Sequence, residues 1–158
     1  MASSGRSYFT VVPSGYIFFR NGDSVLLSRR KNTGYHDGEY SLPAGHIEDR
    51  EYVIAGTVRE AKEEAGVDVK PEDVKLVHVM YRMCSDHVRA DYFFEVTKWE
   101  GEISNPEPEK CADLTWYKLS ELPDDIIPYI KSALDHYVKG EMYSEFDETT
   151  GEGNRIRK

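Results

Sequence analysis

The stretch from Gly45 to Val67, GHIEDREYVIAGTVREAKEEAGV, sets six acidic residues in a fixed pattern beside a run with helical periodicity. Ile54, Val58, Ala61 and Ala65 recur at intervals of four, three and four, which predicts a helix over Glu51 to Ala65 with one apolar stripe. Gly66 stands where a C-terminal cap is expected. On that helix Glu60, Glu63 and Glu64 fall within a sector of about 100°, roughly opposite the stripe. Like charges at this spacing repel by a few tenths of a kcal/mol per pair, and near a helix C-terminus they also oppose the macrodipole. Hard divalent cations resolve the conflict, because Mg²⁺ or Mn²⁺ is bound by a few carboxylates together with waters and substrate phosphates. A solvated acidic face, with Arg59 and Lys62 as counter-charges, is the plain alternative. It does not require Gly45 and Glu51 at set distances, and seven such fixed positions match by chance with a probability on the order of 10⁻⁸. Gly56 costs about 1 kcal/mol relative to alanine inside a helix, so a close approach is expected there, by Pro43-Ala44-Gly45 or by a metal.

The rest of the chain bounds the function class. Its 158 residues, 39% hydrophobic and 12% aromatic, fit one domain with a sizeable core. A net charge of −9 argues against a general nucleic-acid binder, which needs a basic stripe. Cys84 and Cys111 form no CxxC pair, so neither a disulfide framework nor a zinc site is indicated. The start, MASSGRSYFT, lacks the apolar core of a signal peptide, and no stretch of about 20 apolar residues suggests a membrane helix. The expectation is a cytoplasmic protein with no membrane and no nucleic-acid partner, as monomer or homodimer.

Outward from the central helix, a hairpin is expected from Tyr8–Arg20, broken at Pro13-Ser14-Gly15, and Val25–Ser28. The polar run Arg29 to Tyr40 reads as an exposed loop into a short strand, Tyr40-Ser41-Leu42, ended by Pro43. Further strands are predicted at Val74–Met83, Arg89–Lys98 and Leu114–Lys118, and a last amphipathic helix at about Asp125 to Val138. Strands around one central helix, then a terminal helix, predict an α/β fold with a mixed sheet between helices. One domain is expected over residues 1–140, with 141–158 a charged, flexible tail.

The pattern Gly45, five residues, Glu51, seven residues, then Arg59-Glu60-Ala61-Lys62-Glu63-Glu64-Ala65-Gly66-Val67 resembles the signature of the Nudix hydrolases, with Ala61 smaller than the usual aliphatic residue. Leu42-Pro43-Ala44, Trp99-Glu100-Gly101-Glu102 and Leu114-Thr115-Trp116 look like the rest of the domain, extending the resemblance over about residues 8 to 138. Family members often have glycine before the Glu51 position and serine or threonine after it, where this chain has Arg50 and Tyr52. The resemblance implies an α/β/α sandwich and hydrolysis of a nucleoside diphosphate linked to another group, using Mg²⁺ or Mn²⁺. It makes Glu60, Glu63 and Glu64 the metal ligands, with the backbone carbonyl of Ala44. Glu60 also orients or deprotonates the water, and Arg59 pairs with Glu51 to hold loop and helix together. Alignment through the Trp99–Glu102 segment offers Glu107 as a candidate base outside the signature.

Substrate markers are weaker. The small size and the spacing from Arg29-Arg30 to Leu42-Pro43 resemble the MutT-like branch, which implies a nucleoside triphosphate, modified or oxidised bases included, cleaved to monophosphate and pyrophosphate. Arg30 is then a candidate phosphate contact, since guanidinium matches phosphate bidentately. Tyr35 and Tyr40 are candidates to stack on a base, and Gly45 and Tyr81 are further candidate substrate contacts. ADP-ribose or a nucleotide sugar is the alternative substrate, and a non-catalytic nucleotide-binding module the alternative of another class.

Overall fold

The computed structural model describes Gly5 and residues 7–153. The described strands are β1 (Val12–Asn21), β2 (Ser24–Arg30), β3 (Tyr40–Ser41), β4 (Ala44–His46), β5 (Lys75–Met83), β6 (Val88–Val96), β7 (Cys111–Lys118), β8 (Tyr143–Asp147) and β9 (Glu152–Gly153). Helix α1 (Val53–Ala65) follows β4, a 3₁₀ turn (Pro71–Asp73) precedes β5, and α2 (Pro128–Val138) follows β7. The sheet runs β3-β2-β1-β6-β5-β8-β9, with β4 beside β1 and β7 beside β2. β1 pairs with β6 in parallel, as does β5 with β8, and the other pairings are antiparallel. The sheet is therefore mixed, as the sequence predicts.

The period-two alternation of β1 divides the core. Tyr16 and Phe18 pack with Ile130, Ala133 and Leu134 of α2, while Ile17 and Phe19 pack with Ala61 and Ala65 of α1. Two helices thus cover opposite faces of one sheet, which is the expected three-layer α/β arrangement.

Pro13-Ser14-Gly15 does not break β1. Pro13 stands near the start of the strand and keeps its place in the parallel pairing, opposite Ala90 of β6. Gly15 is needed because a Cβ there would lie 2.3 Å from Thr57 Oγ1, so α1 rests directly on the strand. The buried face of α1 is accordingly Gly56, Thr57, Glu60, Ala61 and Ala65, whereas Ile54 is 40% exposed. Of the expected stripe, Ala61, Ala65 and Val58 face the core and Ile54 does not, and the close contact with β1 and the preceding loop is made through Gly56 and Thr57. It carries Glu60 inward, so Glu60 is not on the face opposite the core. Gly66 caps α1 as expected, with φ 72° and its N–H donating to Lys62 O at 3.1 Å.

The C-terminal segment departs from the expected flexible tail. Ser144 and Phe146 alternate inward along β8. Buried His78 on β5 anchors the segment, 2.7 Å from Glu141 O through Nδ1 and 2.7 Å from Ser144 Oγ through Nε2. With Nδ1–H donating to the carbonyl, Nε2 accepts the Ser144 hydroxyl, and burial, which depresses the His78 pKa, favours that neutral ring. Residues 154–158 of the expected tail, and residues 1–4 and 6 of the chain start, lie outside the described residues. No helix among the described residues is long and apolar enough to cross a membrane.

Candidate active site

β4 and α1 build an acidic platform. A Cβ on Gly45 would lie 1.9 Å from Glu60 Cδ, so only glycine lets that carboxylate rest against the strand. The Ala44 N–H donates to Glu64 Oε2 at 3.1 Å. Arg59 sits amid the carboxylates, its Nε and Nη2 donating to the two oxygens of Glu51 at 2.9 and 3.1 Å. Its Nη1 donates to Glu60 at 2.7 Å and to Glu63 at 3.1 Å, and its Nη2 to the carbonyl of His46 at 3.1 Å. The Arg59–Glu51 pair implied by the resemblance is thus present and ties the loop before α1 to the helix. Gly56 serves the same junction: a Cβ there would lie 2.7 Å from Glu51 Oε2 and 2.8 Å from Ile47 Cδ1. The close approach at Gly56 comes from these two side chains rather than from Pro43-Ala44-Gly45.

The electrostatics separate the acids. The hydrogen bond from Arg59 holds Glu51 below the usual carboxylate range, and the Glu48 N–H lowers it further. Burial raises Glu60 despite Arg59. Burial also pushes Glu64 up to about 7, outweighing the Ala44 N–H, with the Glu60 and Glu107 charges adding to the rise. Among the described residues, no three His, Cys, Asp or Glu side chains converge closely enough to hold a metal ion. The donor chemistry nevertheless fits a hard cation. The donors are oxygens only, and desolvation raises the carboxyls of buried Glu60 and half-buried Glu64 beyond what the positive charge around them offsets.

The platform opens on a cavity of about 820 Å³, within the range of small-molecule sites. Ala44, Gly45, Glu64, Glu107, Arg30 and Lys110 line one part of it. Arg30 is aimed there at an irregularity: the β2–β7 register shifts between Arg29, opposite Asp113, and Arg30, opposite Cys111. Such bulges redirect side chains next to active sites. Arg30 Nε donates to the Tyr35 carbonyl at 2.7 Å, and its guanidinium lies 5.5 Å from the Tyr35 ring centroid. Glu107 lines the cavity with Lys110 Nζ 3.1 Å from its Oε1.

Tyr16, Tyr35, His36, Arg82, Tyr129 and Glu148 line another part. Arg82 is 1% exposed. Its Nε donates to Asp91 at 2.7 Å and its Nη1 to Glu148 at 2.6 Å, and its guanidinium stacks 3.7 Å from the Tyr129 centroid. Burial disfavours charge on both Arg82 and Glu148. The Tyr35, Cys84 and His36 hydrogen bonds and the Arg82 charge outweigh it and hold Glu148 at about 2.

Of the candidates read from sequence, Arg30, Tyr35, Ala44, Gly45, Glu64 and Glu107 line the cavity. Glu60, Glu63, Arg59 and Glu51 surround its acidic edge on α1 and the preceding loop without forming its wall. Tyr40 and Tyr81 are placed elsewhere. Tyr40 is 5% exposed in the core, its hydroxyl 2.9 Å from that of Tyr117, so it packs rather than faces a base. Along β5 the alternation buries Met80 and Arg82 and turns Tyr81 outward. Sequence reasoning missed Arg82, Asp91, Tyr129 and Glu148. A signal existed for Arg82 and Asp91, charged residues in phase with Met80 and Phe93 on predicted strands.

The NUDIX domain model matches residues 11–137. The chain is 30% identical over 118 residues to the NAD-capped RNA hydrolase NudC of Stutzerimonas stutzeri (strain A1501), covering 75% of this chain and 40% of that protein. It is 30% identical over 133 residues to the NudC of Pseudomonas aeruginosa (strain LESB58), covering 84% and 45%. The chain therefore spans less than half the length of these curated relatives. Among solved structures, a MutT NUDIX hydrolase from Burkholderia pseudomallei superposes with TM-score 0.73 at 22% identity, covering 80% of this chain and 97% of that one. The MutT protein from Bacillus halodurans gives 0.71 at 23% identity, covering 87% and 90%. At such identities the two structures show a shared fold. The matched domain, extending from β1 into α2 and containing the acidic platform, makes this chain a member of the NUDIX family.

Proposed function

We infer that this chain is a Mg²⁺- or Mn²⁺-dependent pyrophosphohydrolase of a nucleoside diphosphate linked to another group, with a nucleoside triphosphate cleaved to monophosphate and pyrophosphate as the substrate reading. The observation that carries it is one cavity walled by half-buried Glu64, Glu107 and the β4 backbone beside the cations Arg30 and Lys110. One of the proposed metal ligands, Glu64, thus shares a single space with two cations suited to phosphate. Glu60, Glu63 and Glu64 would hold the metal, with the carbonyl of Ala44. When bound, the metal neutralises polyphosphate charge and lowers the pKa of water. Arg30 and Lys110 bind phosphate oxygens, Arg59 restrains Glu60 and Glu63, and Glu107 or Glu60 accepts the proton of the attacking water. Tyr35 offers a ring face for the base.

Glu64→Gln is expected to lower kcat/KM by roughly 10²-fold or more while the fold persists. Glu63→Gln, half exposed and held by Arg59, is expected to lose less. Steady-state kinetics with circular dichroism checks both, and unchanged turnover in the two variants would sink the metal assignment.

Similarity to NAD-capped RNA hydrolases favours a second reading, in which the cleaved pyrophosphate belongs to NAD or an NAD cap. The net charge of −9 disfavours a long RNA contact. Product analysis distinguishes the two readings, because only a triphosphate releases pyrophosphate.

A further inference from the structure

The matched family domain ends at residue 137, yet the cavity is lined in part by a side chain eleven positions later, Glu148. Its backbone is fixed by the sheet: β8 pairs with β5 through Met83 opposite Asp147, and the Glu148 N–H donates to the Met83 carbonyl at 2.9 Å. From this anchor the carboxylate reaches the loop between β2 and β3, more than 100 residues earlier in the chain. The Tyr35 hydroxyl donates to Oε1, and His36 Nε2 lies 3.2 Å from the same oxygen. On the other oxygen, Arg82 Nη1 donates at 2.6 Å and the Cys84 thiol at 3.2 Å. Both oxygens are therefore engaged by protein groups, which leaves Glu148 little capacity to bind a ligand directly. It acts through what it holds.

The loop it holds is internally stiff. Asp37 accepts the N–H groups of Thr33 and Gly34, each at 2.9 Å, and the Thr33 hydroxyl at 2.6 Å. A stiff loop moves as a unit, so its docking on Glu148 sets the position of everything it carries. It carries the Tyr35 ring in the cavity wall, and the Tyr35 carbonyl takes Arg30 Nε at 2.7 Å. A single carboxylate on the C-terminal segment thereby fixes an aromatic face and, through the Tyr35 backbone, a guanidinium.

We propose that Glu148 is a positioning residue for substrate, clasping the β2–β3 loop so that Tyr35 and Arg30 are preorganised to bind the base and phosphates of a nucleotide. The proposal rests on the reading of the cavity given above. Preorganisation of this kind lowers the ordering cost of binding, so its loss weakens affinity rather than the chemical step.

The test measures equilibrium binding of a non-hydrolysable α,β-methylene nucleoside triphosphate with Mg²⁺, alongside KM and kcat, in the full chain and in Tyr35→Phe, Glu148→Ala and the double variant. Tyr35→Phe keeps the ring and removes only the clasping hydroxyl, so it reports on the clasp even where Glu148→Ala fails to fold. Each single variant is expected to raise Kd and KM roughly tenfold, with the loss falling on KM rather than kcat. The double variant is expected to be no weaker than the weaker single, as for two halves of one contact. An unchanged Kd in Tyr35→Phe, or a loss confined to kcat, would overturn the clasp; so would effects that multiply in the double variant. A wild-type chain that binds the analogue but hydrolyses no nucleotide would overturn the catalytic reading and leave the clasp to be judged on Kd. A wild-type chain that binds no nucleotide would overturn both.

Discussion

Arg50 adopts φ 59°, in the left-handed region that favours glycine. It stands where the Nudix pattern often has glycine, and the backbone explains that preference: the chain turns there between β4 and α1 so that Glu51 reaches Arg59. An L-residue pays about 1–2 kcal/mol in this conformation, offset in part by the roughly 0.5–1 kcal/mol of extra unfolded-state entropy that glycine loses on folding. Arg50→Gly is therefore expected to stabilise by about 0.5–1 kcal/mol, raising Tm by a few degrees in a thermal melt. A lowered Tm would show that the Arg50 side chain contributes more than its backbone strain costs. At Gly45 and Gly15 the logic runs the other way, since any Cβ would collide with Glu60 or Thr57. These glycines are packing requirements.

Helix α1 was the most legible element, because its acids, its periodicity and Gly66 all point to the same span. What the sequence could not supply was its rotation. Large apolar residues mark Ile54 as core, yet Gly56 and Thr57 make the contact with β1 and the loop, because a close approach needs small groups. The helix also begins at Val53 rather than at the predicted Glu51. Tyr52 occupies the N-cap with φ −74° and ψ 146° and no side-chain hydrogen bond, and it is 86% exposed. Serine accepts this conformation and offers an oxygen to a free N–H of the first turn, so Tyr52→Ser is expected to add about 1 kcal/mol in denaturant unfolding. No gain would mean that the first-turn N–H groups are already satisfied. β8 was missed for a related reason: the charged run Glu141 to Glu148 resembles a tail by composition. Only pairing with β5 and the His78 bonds reveal Ser144 and Phe146 as inward-facing.

At the scale of the whole molecule, the α/β class and the acidic half of the cavity were readable because their residues are close in sequence. Of the other half only Tyr35 was readable, because Arg82, Asp91, Tyr129 and Glu148 meet it only through sheet order and through the packing of α2. Tyr40 and Tyr81 were misplaced since a strand residue's face depends on register. The buried Arg82 pairs also set a pH response. Glu148, held at about 2 against an ordinary value of 4.5, contributes stability that is fully present above pH 4.5 and is lost as pH falls towards 2. The carboxylate is only partly shielded from water, so wild type is expected to be more stable than Glu148→Gln at neutral pH by about 1–2 kcal/mol. Denaturant unfolding of both from pH 7 to pH 2.5 checks this: the difference should shrink below pH 4.5, and a constant difference would refute the assignment. The central claim, metal-dependent pyrophosphate chemistry in the cavity beside α1, is tested most directly by resolving the products of nucleoside triphosphates, ADP-ribose, nucleotide sugars, NAD and dinucleoside polyphosphates with Mg²⁺ and with chelator. The predicted result is Mg²⁺-dependent release of nucleoside monophosphate and pyrophosphate from a triphosphate. Absence of metal-dependent cleavage across all of these substrates would contradict it.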